Sequence, residues 1–268
     1  MSSEIQKQRK VIDFIEELQS SGRYTFSFEE ASMEVDVSDV ALRSAIRRTK
    51  KKGRLVSPRR GFFVIVPIEY RSTGSPPASW FVDDLMRFLQ QPYYVGLLSA
   101  AAIHGASHQQ PQIFQVITNL PTVSMSAASV RLEFFRKRKI EASETMQTKT
   151  ETGHMVVSTP ETTVFDLIRH VHACGHLSNI ATVLAELAEV LDPNKVAEAA
   201  ETASWPEVQR IGYLFELVGQ HALAEPLAAM LDSRRKRPVL LRPTTNSKDP
   251  PFSERWALFI NEEVEPDL

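Results

Sequence analysis

The amino-acid sequence predicts an α+β protein, in which an N-terminal winged helix-turn-helix is followed by a larger mixed α/β C-terminal domain. Three helical patterns and one hairpin pattern follow one another within the first 66 residues. A segment rich in Pro, Gly and Ser comes next, and strand and helix patterns fill the rest of the 268-residue chain. We therefore expect a winged-helix domain over 1–70 and a C-terminal domain over 80–268.

The first two predicted helices are marked by an apolar stripe and by a capping signal. Apolar residues between Ile5 and Leu18 recur close to helical spacing, and Gly22 is a typical C-terminal stop. Ser27, with Glu30 three residues later, is a capping box, in which each side chain satisfies a free amide at the helix start. It predicts a short second helix over about 28–34.

The third predicted helix carries the sequence "SAIRRTKKKG" and leads into a hairpin. Ser38 is its expected N-cap and Gly53 its end. We expect the inward face of this helix to consist of Val37, Ala41, Ala45 and Thr49, with Leu42 and Ile46 beside them, and Val40 also to lie in the core. We expect the outward face to carry Arg43, Arg47, Lys50 and Lys51. The runs "RLVSP" and "FFVIV", separated by "RRG", predict a hairpin that acts as the wing.

Nine basic residues and no acidic residue lie between positions 43 and 60. They are Arg43, Arg47, Arg48, Lys50, Lys51, Lys52, Arg54, Arg59 and Arg60. A charge run alone is often only a solvated helix face. This one coincides with the predicted recognition helix and wing, so binding to double-stranded DNA is the favoured interpretation.

The predicted interface divides into two roles. The basic residues late in the helix and around the wing are expected to contact phosphates, which supply affinity but little sequence information. Ser38, Asp39, Arg43 and Arg47 lie nearer the start of the helix, where base edges are usually read. Arginine bound to guanine is the expected specific contact there.

Composition restricts the remaining possibilities. The formal net charge is −2 and 43% of residues are apolar, which argues against disordered and fibrous classes. A single cysteine, Cys174, rules out an intramolecular disulfide framework. The polar start "MSSEIQKQRK" is unlike a signal peptide, and the longest nearly apolar run is too short to span a bilayer. We expect a cytoplasmic protein without a membrane partner.

The predicted C-terminal domain begins with strands and ends with helices. "SWFVDDLMRFLQQ" and "YYVGLLSAAAIHG" are predicted helices, while "IFQVITN" and "SVRLEFFRKRK" are predicted strands. "TMQTKTETGHMVVST" predicts a hairpin that turns near 151–153. Helical patterns follow from "TPETTVFDLIRH" to "EVQRIGYLFELVGQ", and "PVLLR" and "RWALFIN" are short strand patterns.

No recognised catalytic motif occurs, so we expect neither an enzyme nor a cofactor. "RHVHACGH" offers zinc-type ligands, but its spacing favours a helix end over a metal site. Glu161 and Asp166 are better explained by a helix that begins at a threonine cap than by catalysis. One enzyme alternative stays open: a metal-dependent nuclease that uses Asp83 or Asp84 with Glu133 and Lys149.

The winged-helix pattern, "PYYVGLLSAAAIHGASHQQPQIFQVIT", "VVSTPETTVFDLIRH", "RIGYLFELVG" and the final "RWALFINEEVEPDL" together resemble the AbiEi-type antitoxins. These proteins are transcriptional regulators of a bacterial type IV toxin–antitoxin system linked to phage defence. The resemblance implies autorepression through promoter repeats. It also implies that the C-terminal domain opposes a nucleotidyltransferase-like toxin without requiring a stable complex.

Two further basic stretches, 131–139 and 233–242, have two interpretations. Each could extend a nucleic-acid footprint. Each could equally be a solvated loop or a charged guard on an edge strand.

Overall fold

The computed structural model describes residues 10–106, 112–233, 237–244 and 248–267. Ile5 and the rest of the N-terminal part of the predicted first helix lie outside these ranges. The protein is a mixed α+β fold, as predicted, with ten α-helices and three sheets in the described ranges.

The N-terminal part contains three helices and a three-stranded sheet. Its elements are α1 Val11–Ser20, β1 Thr25–Ser27, α2 Phe28–Glu34, α3 Asp39–Lys51, β2 Leu55–Arg59 and β3 Phe62–Ile65. The sheet order is β1-β3-β2 with antiparallel pairs. The hairpin prediction is confirmed, and Gly61 supplies the positive φ of +85° that its turn requires. Sequence reasoning missed β1, because three residues are too few to show an alternating pattern.

The predicted caps are present with one difference. The Ser27 hydroxyl accepts a hydrogen bond from the Glu30 amide at 3.0 Å, and the Ser38 hydroxyl accepts from the Ala41 amide at 3.4 Å. The Glu30 carboxylate instead binds the Arg23 guanidinium at 2.7 Å. Only the serine half of the predicted capping box therefore forms. The Glu30 carboxylate instead joins α2 to Arg23, which precedes β1.

The expected inward face of α3 is wrong at its first turn. Leu42 and Ile46 are buried as predicted, but Val40 is 79% exposed and Ala41 is also exposed. The helix rotates so that the 42, 46 and 49 positions face the core, which turns position 40 toward solvent.

Strand β3 is apolar throughout because both of its faces are buried. Phe63 and Ile65 pack into the N-terminal core with α1, α2 and α3. Phe62 and Val64 point the other way, into a second core that continues through residues 78–157. Because successive side chains of a strand point to opposite faces, β3 contributes to both cores.

Residues 67–80, predicted as a domain boundary, are well packed. Two 3₁₀ turns, Ile68–Tyr70 and Ala78–Trp80, lie within them. The Trp80 ring contacts Tyr24 and Tyr70 at centroid distances of 4.9 and 5.3 Å. The Thr25 hydroxyl also donates to the Asp84 carboxylate at 2.5 Å.

A six-stranded mixed sheet forms the first part of the C-terminal region. Its elements are α4 Val82–Phe88, β4 Tyr93–Val95, α5 Leu97–Ile103, β5 Ile113–Thr118, β6 Met125–Ala127, β7 Val130–Arg136, β8 Thr145–Thr150 and β9 Gly153–Ser158. The strand order is β6-β7-β5-β4-β9-β8. The pairs β5–β7 and β4–β9 are parallel, and the other three are antiparallel.

Six of these elements were predicted, and one prediction was wrong in part. The helices α4 and α5, the strands β5 and β7 and the β8–β9 hairpin are confirmed. Tyr93, Tyr94 and Val95 were expected inside a helix, but they form a central strand. Aromatic and β-branched side chains favour a strand, and Gly96 separates them from the helix that follows.

A helical layer packs against the sheet and closes the fold. Its elements are α6 Pro160–Arg169, α7 His176–Leu187, α8 Pro193–Ala200, α9 Trp205–Leu217, α10 His221–Asp232, β10 Val239–Leu240, β11 Phe252–Ser253 and β12 Leu258–Phe259. Trp256 is fully buried at its centre against Gly212 of α9. A Cβ at position 212 would lie 2.0 Å from the indole ring, so this close approach requires glycine.

Within the described ranges, no helix has the length and apolar character needed to cross a membrane.

Candidate nucleic-acid interface

Five of the nine clustered basic residues line one groove. Arg43, Arg47, Lys50 and Lys51 come from α3, and Arg60 comes from the tip of the β2–β3 hairpin. The groove has a volume of about 970 Å³ and a partly apolar floor. Its acidic lining within the described residues is Glu29 alone, so the lining carries a clear positive excess.

The Arg43 side chain is held in place from two sides. Its guanidinium carbon lies 4.1 Å from the centroid of the Phe28 ring, a cation–π contact. Its Nη2 lies 4.0 Å from the Asp39 carboxylate one turn earlier. The Ser32 hydroxyl in turn donates to Asp39 at 3.0 Å. Arg43 is therefore pre-oriented, which reduces the entropy lost when it binds a partner.

The exposed face of α3 presents a continuous row of side chains. Val40, Arg43, Ser44 and Arg47 fall within about 100° of one another around the helix axis. Val40 adds an exposed apolar group beside the first arginine.

The remaining predicted interface residues lie around the groove. Ser38 and Asp39 are exposed at the start of α3, and Arg59 is exposed at the hairpin. Two more, Arg48 and Lys52, are exposed late on α3.

Arg54 differs from the other basic residues. Its side chain is only 25% exposed, and its Nη2 lies 3.8 Å from a Glu16 carboxylate oxygen on α1. Part of its charge is therefore compensated within the protein.

The hairpin tip rests on the C-terminal region. The rings of Phe62 and Phe88 have centroids 5.4 Å apart, and Phe88 also lines the groove. A Cβ at Gly61 would lie 3.5 Å from the Phe88 ring. Helix α4 thus supports the position of the wing from behind.

Asp166, which sequence reasoning weighed as a catalytic acid, is fully buried in a polar network. It accepts hydrogen bonds from Tyr94 Oη at 2.6 Å, Lys137 Nζ at 2.9 Å and Arg169 Nη1 at 3.1 Å. Burial, followed by the Asp166 charge, raises the pKa of Tyr94 far above its usual value. The network joins the sheet to α6, and no spacing pattern among these residues indicated it.

The histidine cluster is spread over different environments. His170 is partly buried beside Phe135, and desolvation lowers its pKa. His172 and His176 are exposed, with ring centroids 5.6 Å apart. Within the ranges the structure describes, no three His, Cys, Asp or Glu side chains are grouped closely enough to hold a metal ion.

The residues of the nuclease alternative do not come together. Asp83 is bound by Arg87 and by Tyr93 Oη, and Glu133 pairs with Arg131. Glu133 lies on β7, four strand positions from Lys149 on β8. At ~4.8 Å between neighbouring strands, this separation is roughly 19 Å.

The two further basic stretches are partly used within the fold. Lys137 belongs to the Asp166 network, and Arg242 pairs with Glu262. Positions 234–236 of the second stretch lie outside the described residues.

The protein has an α+β fold, in which the N-terminal helices and the β-hairpin carry a cationic groove. The larger remainder of the chain contains buried polar contacts. Among the described residues, no cluster of metal-type ligands occurs. Residues 94–217 match the family model of the AbiEi antitoxin C-terminal domain. This match supports assignment to the AbiEi-type antitoxin family, and it agrees with the resemblance seen in the sequence.

Solved structures support the fold. The crystal structure of the RV2827C protein from Mycobacterium tuberculosis superposes with a TM-score of 0.64 at 14% identity, covering 91% of this chain and 89% of that one. An antigenic nucleotidyltransferase-like protein from Paracoccidioides brasiliensis aligns with a TM-score of 0.35 at 10% identity, over 59% of this chain and 87% of that one. No curated protein matches the sequence.

Proposed function

We propose that the protein is a DNA-binding autorepressor and the antitoxin of a type IV toxin–antitoxin system. In this proposal residues 1–70 form a winged helix, with α3 as the recognition helix and the β2–β3 hairpin as the wing. The observation that carries the proposal is the groove in which Arg43, Arg47, Lys50, Lys51 and Arg60 converge.

The dimensions of α3 suit the major groove of DNA. An α-helix with side chains is about 10–12 Å wide, and the major groove is about 12 Å wide. Thirteen residues give α3 a length of about 20 Å. With α3 in the major groove, the basic wing would lie against the neighbouring backbone, and the groove between them would hold the phosphates.

The proposed contacts differ in what they read. Arg43 and Arg47 lie on the exposed face of α3 and are proposed to donate to guanine edges, with Ser38 and Asp39 beside them. The other basic residues of the cluster are proposed to hold phosphates: Arg48, Lys50, Lys51, Lys52, Arg54, Arg59 and Arg60. Of these, Arg54 contributes least, because Glu16 already compensates part of its charge.

The antitoxin role rests on the family. The match to the AbiEi antitoxin C-terminal domain covers 94–217, the part of the chain that contains most of the large sheet and the helices α5 to α9. We propose that this domain opposes a nucleotidyltransferase-like toxin, that no stable complex is required, and that it is not an enzyme.

A four-residue variant tests both roles together. Arg43, Arg47, Arg59 and Arg60 are changed to Ala, which removes four positive charges from exposed side chains and leaves the core intact. A promoter–reporter assay should show loss of repression, and a growth assay with the cognate toxin should still show rescue.

A matched control carries four Ala substitutions at exposed basic residues elsewhere: Arg71, Lys149, Lys195 and Lys248. It should repress normally. Retained repression by the first variant would refute DNA binding through α3 and the wing. Loss of rescue by the folded, equally abundant first variant would mean that protection works through DNA binding.

A further inference from the structure

A second cationic pocket lies in the C-terminal region, far along the chain from α3. It is formed between α6, the start of α7, α9 and the segment after β10, and its volume is about 220 Å³. Three arginines from different elements line it: Arg169, Arg210 and Arg242. The proposed DNA-binding and antitoxin roles do not account for this convergence.

The charges of the three arginines are not fully balanced. Arg169 makes two 2.9 Å hydrogen bonds to the Glu207 carboxylate, and Arg242 is paired with Glu262. Arg210 donates through Nε and Nη2 to the Leu240 carbonyl oxygen at 3.2 and 3.0 Å, and it makes no ion pair within 4 Å among the described residues. The acidic residue that acts on its charge is Glu207, which Arg169 already binds, and burial lowers the pKa of Arg210.

An unsatisfied donor adds a second indication. The Nε–H of Arg242 is buried and has no hydrogen-bond acceptor within the parts of the chain that the structure describes. An unpaired buried donor is destabilising unless a further group accepts from it. The Arg242 guanidinium is therefore not fully satisfied by Glu262 and by the His176 ring.

The rim of the pocket adds polar groups. Ser204, the N-cap of the 13-residue α9, and the exposed His172 both line it. Glu207 also lines the pocket, and its carboxylate already accepts a hydrogen bond from the Ser204 amide at 2.7 Å, so the start of α9 is capped within the protein. Ile168, Val171, Leu177 and Leu241 supply apolar walls.

We propose that this pocket binds a small phosphorylated molecule, whose phosphoryl group is held by Arg210 and Arg242 and whose organic part lies against the apolar walls. Guanidinium groups match phosphoryl oxygens through paired hydrogen bonds. The pocket has room for more than a bare anion, and the apolar walls would give a sugar or similar body a surface to pack on.

Isothermal titration of the full-length protein tests the proposal with defined probes: inorganic phosphate, ribose 5-phosphate, ribose and acetate. We expect ribose 5-phosphate to bind more tightly than phosphate, and ribose and acetate not to bind. Arg210→Gln should weaken ribose 5-phosphate at least tenfold, because it removes a positive charge from the pocket. Arg237→Gln, an exposed arginine that does not line the pocket, should change nothing.

His172→Ala provides a second variant that does not depend on a buried contact. His172 is exposed at the rim, so the fold should be unaffected, and affinity for ribose 5-phosphate should fall about threefold. Absence of binding by both phosphate probes at millimolar concentration would overturn the proposal. So would equal binding of acetate, or unchanged affinity of folded Arg210→Gln. DNA binding is measured in parallel, and none of these results affects its outcome.

Discussion

Cutting the chain after residue 70 would leave one face of β3 without cover. Phe62 and Val64 are buried by residues from 78 onward, although they belong to the predicted winged-helix domain. Full burial of such side chains contributes about 1.5–3 kcal/mol each, or about 3–6 kcal/mol for the pair. A folded segment of 70 residues has a total stability of roughly 4–10 kcal/mol. The isolated 1–70 fragment should therefore be only marginally stable, whereas in the complete chain the later residues stabilise the same segment.

Hydrogen exchange measures this difference directly. Each 1.4 kcal/mol is a factor of ten in the opening equilibrium, so amides of β3 should exchange roughly a hundredfold to ten-thousandfold faster in the fragment than in the full chain. Phe62→Thr with Val64→Thr is the matched control. This double substitution should destabilise the full chain but change the stability of the fragment little. Equal protection of β3 in the two proteins would refute the reasoning and show a unit that folds alone.

Three further predictions concern single side chains. Arg47→Ala should cost about 1–3 kcal/mol of binding free energy on the cognate promoter and relax base preference. Lys51→Ala should instead weaken binding to all DNA sequences alike and reduce the slope of affinity against salt concentration by about one. Equal losses on cognate and random DNA for both variants would contradict these roles. Val40→Ala should weaken promoter binding, because an exposed valine can contact a thymine methyl group. Replacing thymine by uracil at one promoter position should weaken binding of the unaltered protein by the same amount. The same replacement should not weaken binding of the Val40→Ala variant further. Burial raises the pKa of Cys174 to about 12, so alkylation at pH 8 should be slow in the native protein and fast in urea; rapid alkylation without urea would contradict the packing.

Much of the fold was predictable because local signals were strong. Ser27, Ser38 and Thr159 are side-chain caps whose helices begin where expected. The β8–β9 hairpin followed from alternation and from a turn ending in Gly153. In each case the deciding interaction lies within a few residues of sequence.

Features that depend on tertiary packing were not predictable. The burial of Tyr94 in a central strand is decided by β5 and β9 on either side of it. The outward position of Val40 is set by the rotation of α3 on its core. The pairing of Asp166 with Lys137 joins residues 29 positions apart, and no periodic pattern spans that distance.

The candidate interface was only partly visible in the sequence. The charge run identified the basic residues, but it did not separate the five that share a groove from Arg54, whose partner lies on α1. The second cationic pocket left almost no local signal. Arg169, Arg210 and Arg242 are dispersed over more than 70 positions, and only the fold brings them together.

The seating of Trp256 against Gly212 has a consequence for synthesis on the ribosome. Helices α6 to α10 emerge before the indole that fills their centre, and Glu216 then receives the indole N–H. The indole can reach this position only after α6 to α10 have been synthesised. The packing of the helical layer can therefore be completed only late in synthesis, when residues 252–259 become available.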